Sequence, residues 1–257
     1  MSPILQRIQR HGLAECDPRA AVADLLQLMG APTGNPLGLP TLSLSWRRLH
    51  AGEAAYHEGA RADAIHFVRA GAFKIFRTAE DGYEQVLGFA MRGELLGFEA
   101  LASGRHPSAA VALEESSVYS LPLPEFESLG RRLPPLEQSV HRALSLALTR
   151  RGELAEVMAA VAAEVRLARF LLQLSRCMAT CGQSPRRFHL RMSRRDIASY
   201  LGVAHETVSR SFGALARWGW LGVDNREVEI HDLAALQQFA LNTRRSSDEP
   251  ALQLCSA

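Results

Sequence analysis

The sequence predicts an α+β protein with three parts: an N-terminal β-roll of jelly-roll type, a long helix, and a C-terminal winged helix-turn-helix. Three observations predict it. Gly52, Gly59, Gly71, Gly82, Gly93 and Gly104 punctuate short apolar runs at roughly ten-residue intervals, the rhythm of an all-β sandwich or barrel. Apolar positions between Val140 and Val161 alternate steps of four and three, a heptad seam. The stretch Met192–Leu215, MSRRDIASYLGVAHETVSRSFGAL, reads as two short helices about a tight turn, and a hairpin follows it. The implied segments are an extension and linker at 1–36, the β-roll at 37–132, the long helix at 133–162, the winged domain at 163–245 and a flexible tail at 246–257.

In chain order, Ile4, Leu5 and Ile8 suggest a short helix and Ala20–Met29 a second. The Gly- and Pro-rich segment Gly30–Pro36 reads as a linker. Strands are predicted at Leu49–Glu53, Tyr56–Gly59, Ala64–Gly71, Ala72–Thr78, Gln85–Met91 and Ala109–Leu121. Pro134-Pro135 break the chain before the long helix, whose seam runs through Val140, Leu144, Ala147, Arg151, Leu154, Met158 and Val161. A seam of this length finds its partner in a second copy of itself, so a homodimer is expected. Arg151 is the flaw in it: in a parallel pair it faces its own copy, and the like charges weaken the pair unless Glu153 or Glu156 meets them. The next helix, Ala163–Met178, lines Val165, Ala168, Leu171, Leu172 and Ser175 along one face. Cys177 and Cys181 lie one turn apart, but no second ligand pair joins them, and no metal site is predicted.

The helix-turn-helix divides its second helix into two faces. Ser193 stands three residues before Asp196, a capping-box start, and Gly202 ends the first helix. Val208, Phe212 and Leu215 then recur at i, i+4 and i+7 and face a core, while Glu206, Ser209, Arg210 and Gly213 face away from it. A guanidinium bonds guanine O6 and N7, a carboxylate accepts from cytosine N4, and serine is a small general contact. Arg210 and Glu206 therefore suit the two sides of one G·C step, with His205 beside them. Phe188–Met192 reads as a strand leading in. Trp220–Val223 and Arg226–Ile230 alternate around an Asp224-Asn225 turn and read as the wing.

Charge is unevenly spread over the 257 residues. Residues 1–163 carry 15 Arg and Lys74 against 18 acids, net −2; residues 164–245 carry 13 Arg against 7 acids, net +6; the last twelve are net −2. Positive charge thus gathers around the helix-turn-helix, as contact with phosphates requires. No apolar run is long enough to span a bilayer, Met1–Arg10 is no signal peptide, and four scattered Cys suit a reducing compartment, so a cytoplasmic location is expected. No nucleophile–base or metal constellation occurs, and no enzyme is predicted.

Together these stretches resemble the Crp/Fnr superfamily over almost the whole chain, and its Fnr branch in particular. The similarity rests on GAFKIFRTAEDGYEQVLGF from Gly71, GELLGFEALASGRHPS from Gly93, AEVRLARFLLQLSR from Ala163 and SPRRFHLRMSRRDIASYLGVAHETVSR from Ser184. The resemblance implies a homodimeric transcription factor, chiefly an activator, with a sensory β-roll of the cyclic-nucleotide-binding type, a dimerisation helix and a DNA-binding winged helix. It places the readers of a TTGAT half-site, within a TTGAT-N4-ATCAA-like inverted repeat, on Glu206, Ser209 and Arg210. Ser193, Arg194, Arg195 and Thr207 are the expected phosphate contacts, and loss of Arg194 would weaken all sequences alike. Glu80, Asp81 and Glu84 resemble a surface that touches RNA polymerase in relatives, and they also suit a solvated hairpin turn.

Three departures stand out. The cluster-ligand positions of oxygen-sensing relatives carry Leu13, Cys16, Val22 and Tyr119, and one thiolate cannot hold an iron–sulfur cubane. The cyclic-nucleotide positions carry Phe98 and Pro107-Ser108 in place of a Glu and an Arg-Ser pair, so cyclic AMP is not expected. Haem occurs in relatives, and His11, His50, His57 and His66 are its candidate ligands by residue type. Ala204 replaces the Ser or Thr that caps the recognition helix, a loss of ~1 kcal/mol. A second reading of the chain is a ligand-binding module that acts through protein contact, with the winged helix as its contact surface.

Overall fold

The computed structural model describes residues 18–32, 42–180 and 182–242. Expectations for Ile4–Ile8, His11, Leu13, Cys16, Cys181 and the tail from Ser246 lie outside them. The chain forms two compact units, one up to Ala147 and one from Leu148.

The first unit opens with helix α1 (Pro18–Leu28). Eight antiparallel strands follow: β1 (Ser45–Leu49), β2 (Ala54–Tyr56), β3 (Ala64–Ala70), β4 (Ala72–Thr78), β5 (Glu84–Met91), β6 (Leu95–Leu96), β7 (Ala109–Ala112) and β8 (Ser116–Pro122). They make two four-stranded sheets, ordered β1-β8-β3-β6 and β2-β7-β4-β5. The predicted run Ala109–Leu121 is two strands, because it turns at 113–115 and its halves join different sheets. β1 begins earlier than predicted, since Trp46 and Arg47 pair with Tyr119 and Val118.

Strand β3 is buried on both faces, as alternation allows. Val68 joins Tyr56, Phe73, Leu96, Ala110 and Val118 in a core drawn from both sheets. Ile65 and Phe67 point the other way, into a second core with Val22, Leu25 and Leu26 of α1. Gly71 links β3 to β4 at φ 87°, and a Cβ there would lie 2.1 Å from Ser116 Oγ, so only glycine fits.

Short helices α2 (Leu123–Glu127) and α3 (Leu129–Arg132) lead to α4 (Pro134–Ala159). This helix corrects the predicted seam. Val140 is 1% exposed and, with Leu136 and partly buried Leu144, completes the α1 core of its own unit. Val161 lies beyond the helix end, and the side chain of Met158 packs beside Gly202. Ala147 and Leu154 are half-buried and Arg151 is exposed. The apolar repeat served two purposes, and the nearer core claimed its first half. Leu148, Arg151, Ala155 and Met158 are exposed and keep a heptad spacing, and Arg151 and Met158 are shared with the predicted seam.

The second unit contains the end of α4, then α5 (Ala163–Thr180), β9 (Arg187–His189), α6 (Arg194–Leu201), α7 (His205–Arg217), β10 (Leu221–Asp224), β11 (Glu227–Ile230) and α8 (Leu233–Ala240). Strands order as β10-β11-β9, a three-stranded wing. The hairpin turn sits at Asn225-Arg226, one residue later than predicted, with Asn225 in the left-handed region at φ 51°. Helix α8, capped by Asp232 Oδ1 on the amide of Ala235 (2.9 Å), closes an aromatic cluster of Trp218, Trp220 and Phe239. Among the described residues, no helix is long and apolar enough to cross a membrane.

Candidate nucleic-acid interface

Helices α6 and α7 form the helix-turn-helix with the predicted chemistry at each end. Ser193 Oγ accepts from the Asp196 amide (3.1 Å), and Asp196 Oδ2 accepts from the Ser193 amide (2.9 Å), a complete capping box. Gly202 ends α6 at φ 62°, ψ 40°. Arg166 of α5 donates to the Leu201 carbonyl (2.9 Å), a cation at a helix C-terminus. Helix α7 starts at Ala204 with no side-chain cap.

The two faces of α7 separate as the spacing required. Val208, Ser211, Phe212 and Leu215 are buried, while His205, Glu206, Ser209, Arg210 and Gly213 are exposed. Ser211 Oγ meets Glu164 Oε1 of α5 at 3.4 Å, which anchors the inner face. Gly213 stands in mid-helix with no atom within 4 Å of a built Cβ, so nothing in the fold requires glycine there.

The predicted phosphate contacts divide differently. Arg195 is exposed and Thr207 half-buried. The Ser193 hydroxyl donates to Asp196 Oδ2 (2.6 Å) within the capping box and is no free donor. Arg194, expected at the surface, turns inward. Its guanidinium lies 3.5 Å from the Phe212 ring centroid, and Nη2 donates to the Asn225 carbonyl (2.9 Å). Burial lowers its pKa from the ordinary arginine value. A recess of about 430 Å³ here is lined by Ser193, Arg194, Arg195, His205, Asn225 and Arg226. Asn225 and Arg226 were not among the predicted site residues; a basic residue at a wing tip was the available signal.

Several arginines behind the +6 charge serve the fold. Arg169 donates to the carbonyls of Glu156, Ala240 (2.8 Å) and Asn242 (3.2 Å). Arg187 pairs with Glu229 (2.9 Å) across the wing and holds that carboxyl below its ordinary range. Exposed Arg195, Arg210 and Arg226 lie on the interface side.

In the β-roll unit, the predicted polymerase-contact acids sit on the β4–β5 hairpin. Asp81 Oδ1 accepts from the Tyr83 amide (2.9 Å), Glu84 meets Lys74 Nζ (2.6 Å), and Glu80 is exposed. Of the candidate haem histidines among the described residues, His50 is at the surface on Glu115 (2.6 Å), His57 is exposed, and His66 is buried on Ser120 Oγ (2.7 Å). Inside the roll, Tyr56 stacks with His106 (3.9 Å between ring centroids) and with His66 (5.9 Å).

Comparison with known proteins agrees with this architecture. Residues 46–132 match the cyclic nucleotide-binding domain and residues 165–239 the Crp-like helix-turn-helix domain. The chain is 37% identical over 211 residues to the transcriptional regulatory protein Btr of Bordetella pertussis, across 82% of this chain and 87% of that protein. The chain belongs to the Crp/Fnr family. A second Crp/Fnr relative is the fumarate and nitrate reduction regulatory protein of Escherichia coli, 37% identical over 196 residues, 76% of this chain and 78% of that one. Among solved structures, FixK2 from Bradyrhizobium japonicum superposes with TM-score 0.68 at 27% identity, covering 77% of this chain and 98% of that one. This Crp/Fnr protein is a transcriptional regulator with a helix-turn-helix DNA-binding domain, and not an enzyme.

Proposed function

We propose that the protein is a homodimeric, sequence-specific regulator, chiefly an activator, of a TTGAT-N4-ATCAA-like inverted repeat. The observation that carries this is the outward face of α7, where Glu206, Ser209 and Arg210 are exposed while Val208, Phe212 and Leu215 are held in the core. His205 flanks them at the outer base pairs. Arg195 and Thr207 supply phosphate contacts, with Arg226 at the wing tip. Two copies present their helices about 34 Å apart, one turn of duplex. The protein works in the cytoplasm, with RNA polymerase as partner through the hairpin of Glu80, Asp81 and Glu84. Binding to this repeat against a scrambled duplex, across a salt series, is the test. Tight, steeply salt-dependent binding to the repeat is expected, and equal affinity for both refutes the reading.

Neither an iron–sulfur cluster nor cyclic AMP is part of this proposal, because the residues present do not fit them. Val22 is fully buried among α1 and β3 side chains, and the Tyr119 hydroxyl donates to Asp24 Oδ2 (2.6 Å) beside Arg69. Burial raises the Tyr119 phenol to about 12. At the nucleotide positions, Phe98 packs on the α1 core and Ser108 is buried. The nearby cation, Arg105, donates to the Gly59 carbonyl (2.7 Å).

The dimer uses the stripe Leu148, Arg151, Ala155 and Met158. Glu153 faces Gln173 (3.3 Å) and Arg176 (3.8 Å) within its own unit. Arg151→Leu is expected to change the association constant in sedimentation; an unchanged constant removes Arg151 from the seam. Gly213→Ala is expected to raise stability by about 0.5–1 kcal/mol in urea unfolding. The same variant should weaken DNA binding, because the added methyl stands where a base edge approaches. Undiminished affinity would place that face away from the groove.

A further inference from the structure

Arg194 touches all three elements that present the reading face. It opens α6, its guanidinium carbon sits over the Phe212 ring of α7, 3.5 Å from the centroid, and its Nη2 donates to the Asn225 carbonyl of the wing turn at 2.9 Å. Nη1 is buried without a hydrogen-bond partner, so it is closed to an incoming phosphate. The lining of the adjoining recess includes exposed Arg195 and Arg226, which take that role.

We infer that Arg194 is a positioning residue, a latch that fixes the rotation of α7 and the placement of the wing, and not a backbone contact. This rests on the proposed reading of DNA by α7. Phe212 lies two residues from Arg210 on the opposite face, so a planar cation stacked on its ring resists rotation of the helix about its axis. A turn of one residue, about 100°, would carry Arg210 and Glu206 off the base edges. Lysine cannot replace this arrangement. Its ammonium keeps the charge but has neither a flat face for the ring nor a forked donor set.

The test compares full-length Arg194→Lys and Arg194→Gln with the wild type. Each is titrated with the TTGAT inverted repeat and with the same duplex altered at the G, across a salt series. Both variants are expected to lose about ten-fold in the affinity ratio between the two duplexes, with an unchanged slope of log affinity against log salt. A wild-type ratio in Arg194→Lys overturns the latch, as does a slope reduced by about one per protomer in Arg194→Gln, which makes Arg194 a phosphate contact. Should the Arg194 variants fail to fold, Phe212→Leu carries the test: it removes the ring and leaves the cation, and a wild-type ratio in it overturns the latch equally. A wild type that itself shows no preference for the repeat would refute the proposed function, a result separate from any of these.

Discussion

Replacing Arg210 with alanine is expected to cost ~1–3 kcal/mol in binding to a TTGAT inverted repeat and to erase most of the preference for its G. The side chain is exposed on the outer face of α7, one turn from Glu206, on a helix whose inner face is fully engaged. The change removes a bidentate donor pair and leaves the fold untouched, because no buried contact depends on it. Arg195→Ala should behave differently, weakening matched and mismatched duplexes alike and lowering the salt slope. Competition binding with single-base variants of the repeat separates the two. If Arg210→Ala keeps its discrimination at the G while losing overall affinity, the assignment of base reading to this residue is wrong.

Acid should destabilise the β-roll through His66, with an effect of similar size. Burial, with Arg47 and His106 nearby, lowers its pKa from 6.5 to about 3. The unfolded chain takes up that proton near 6.5, and the folded chain refuses it until much lower pH. The contribution is therefore fully present above about pH 6.5 and is lost as pH falls toward 3. Each pKa unit is about 1.36 kcal/mol, so unfolding free energy should drop by about 3 kcal/mol between pH 7 and pH 4 from this group. Urea unfolding at both values, for the full chain and for His66→Gln, isolates it. The variant should lose about 3 kcal/mol less than the wild type over that interval; equal losses would mean the imidazole is not held neutral.

The winged domain was legible because its signals are local. Ser193 and Asp196 form the expected capping box, Gly202 stops α6, and the spacing of Val208, Phe212 and Leu215 sets the inner face of α7. The reading face followed by subtraction. What the sequence did not reveal depends on partners far apart in it. Arg194 belongs to a run of basic residues that reads as phosphate-facing, and only the tertiary proximity of Phe212 and Asn225 turns it inward. Val140 and Leu144 carry a heptad signal equally satisfied by a second copy or by α1 and β3, and periodicity cannot distinguish the two. The break between β7 and β8 arises because strands switch sheets, which an apolar run does not record. Helix α8 did carry a local signal, Asp232 ahead of Leu233 and Leu236, which the reading of the wing passed over.

Arg166, Arg169 and Arg194 share a habit: each donates to main-chain carbonyls of segments distant in sequence. They act as cross-braces more than as sources of charge. A variant in which lysine replaced every arginine of this unit would therefore keep its electrophoretic mobility and its pull on polyanions while its framework loosened. Codon-driven drift between the two residues, harmless on most protein surfaces, would be poorly tolerated at these three positions.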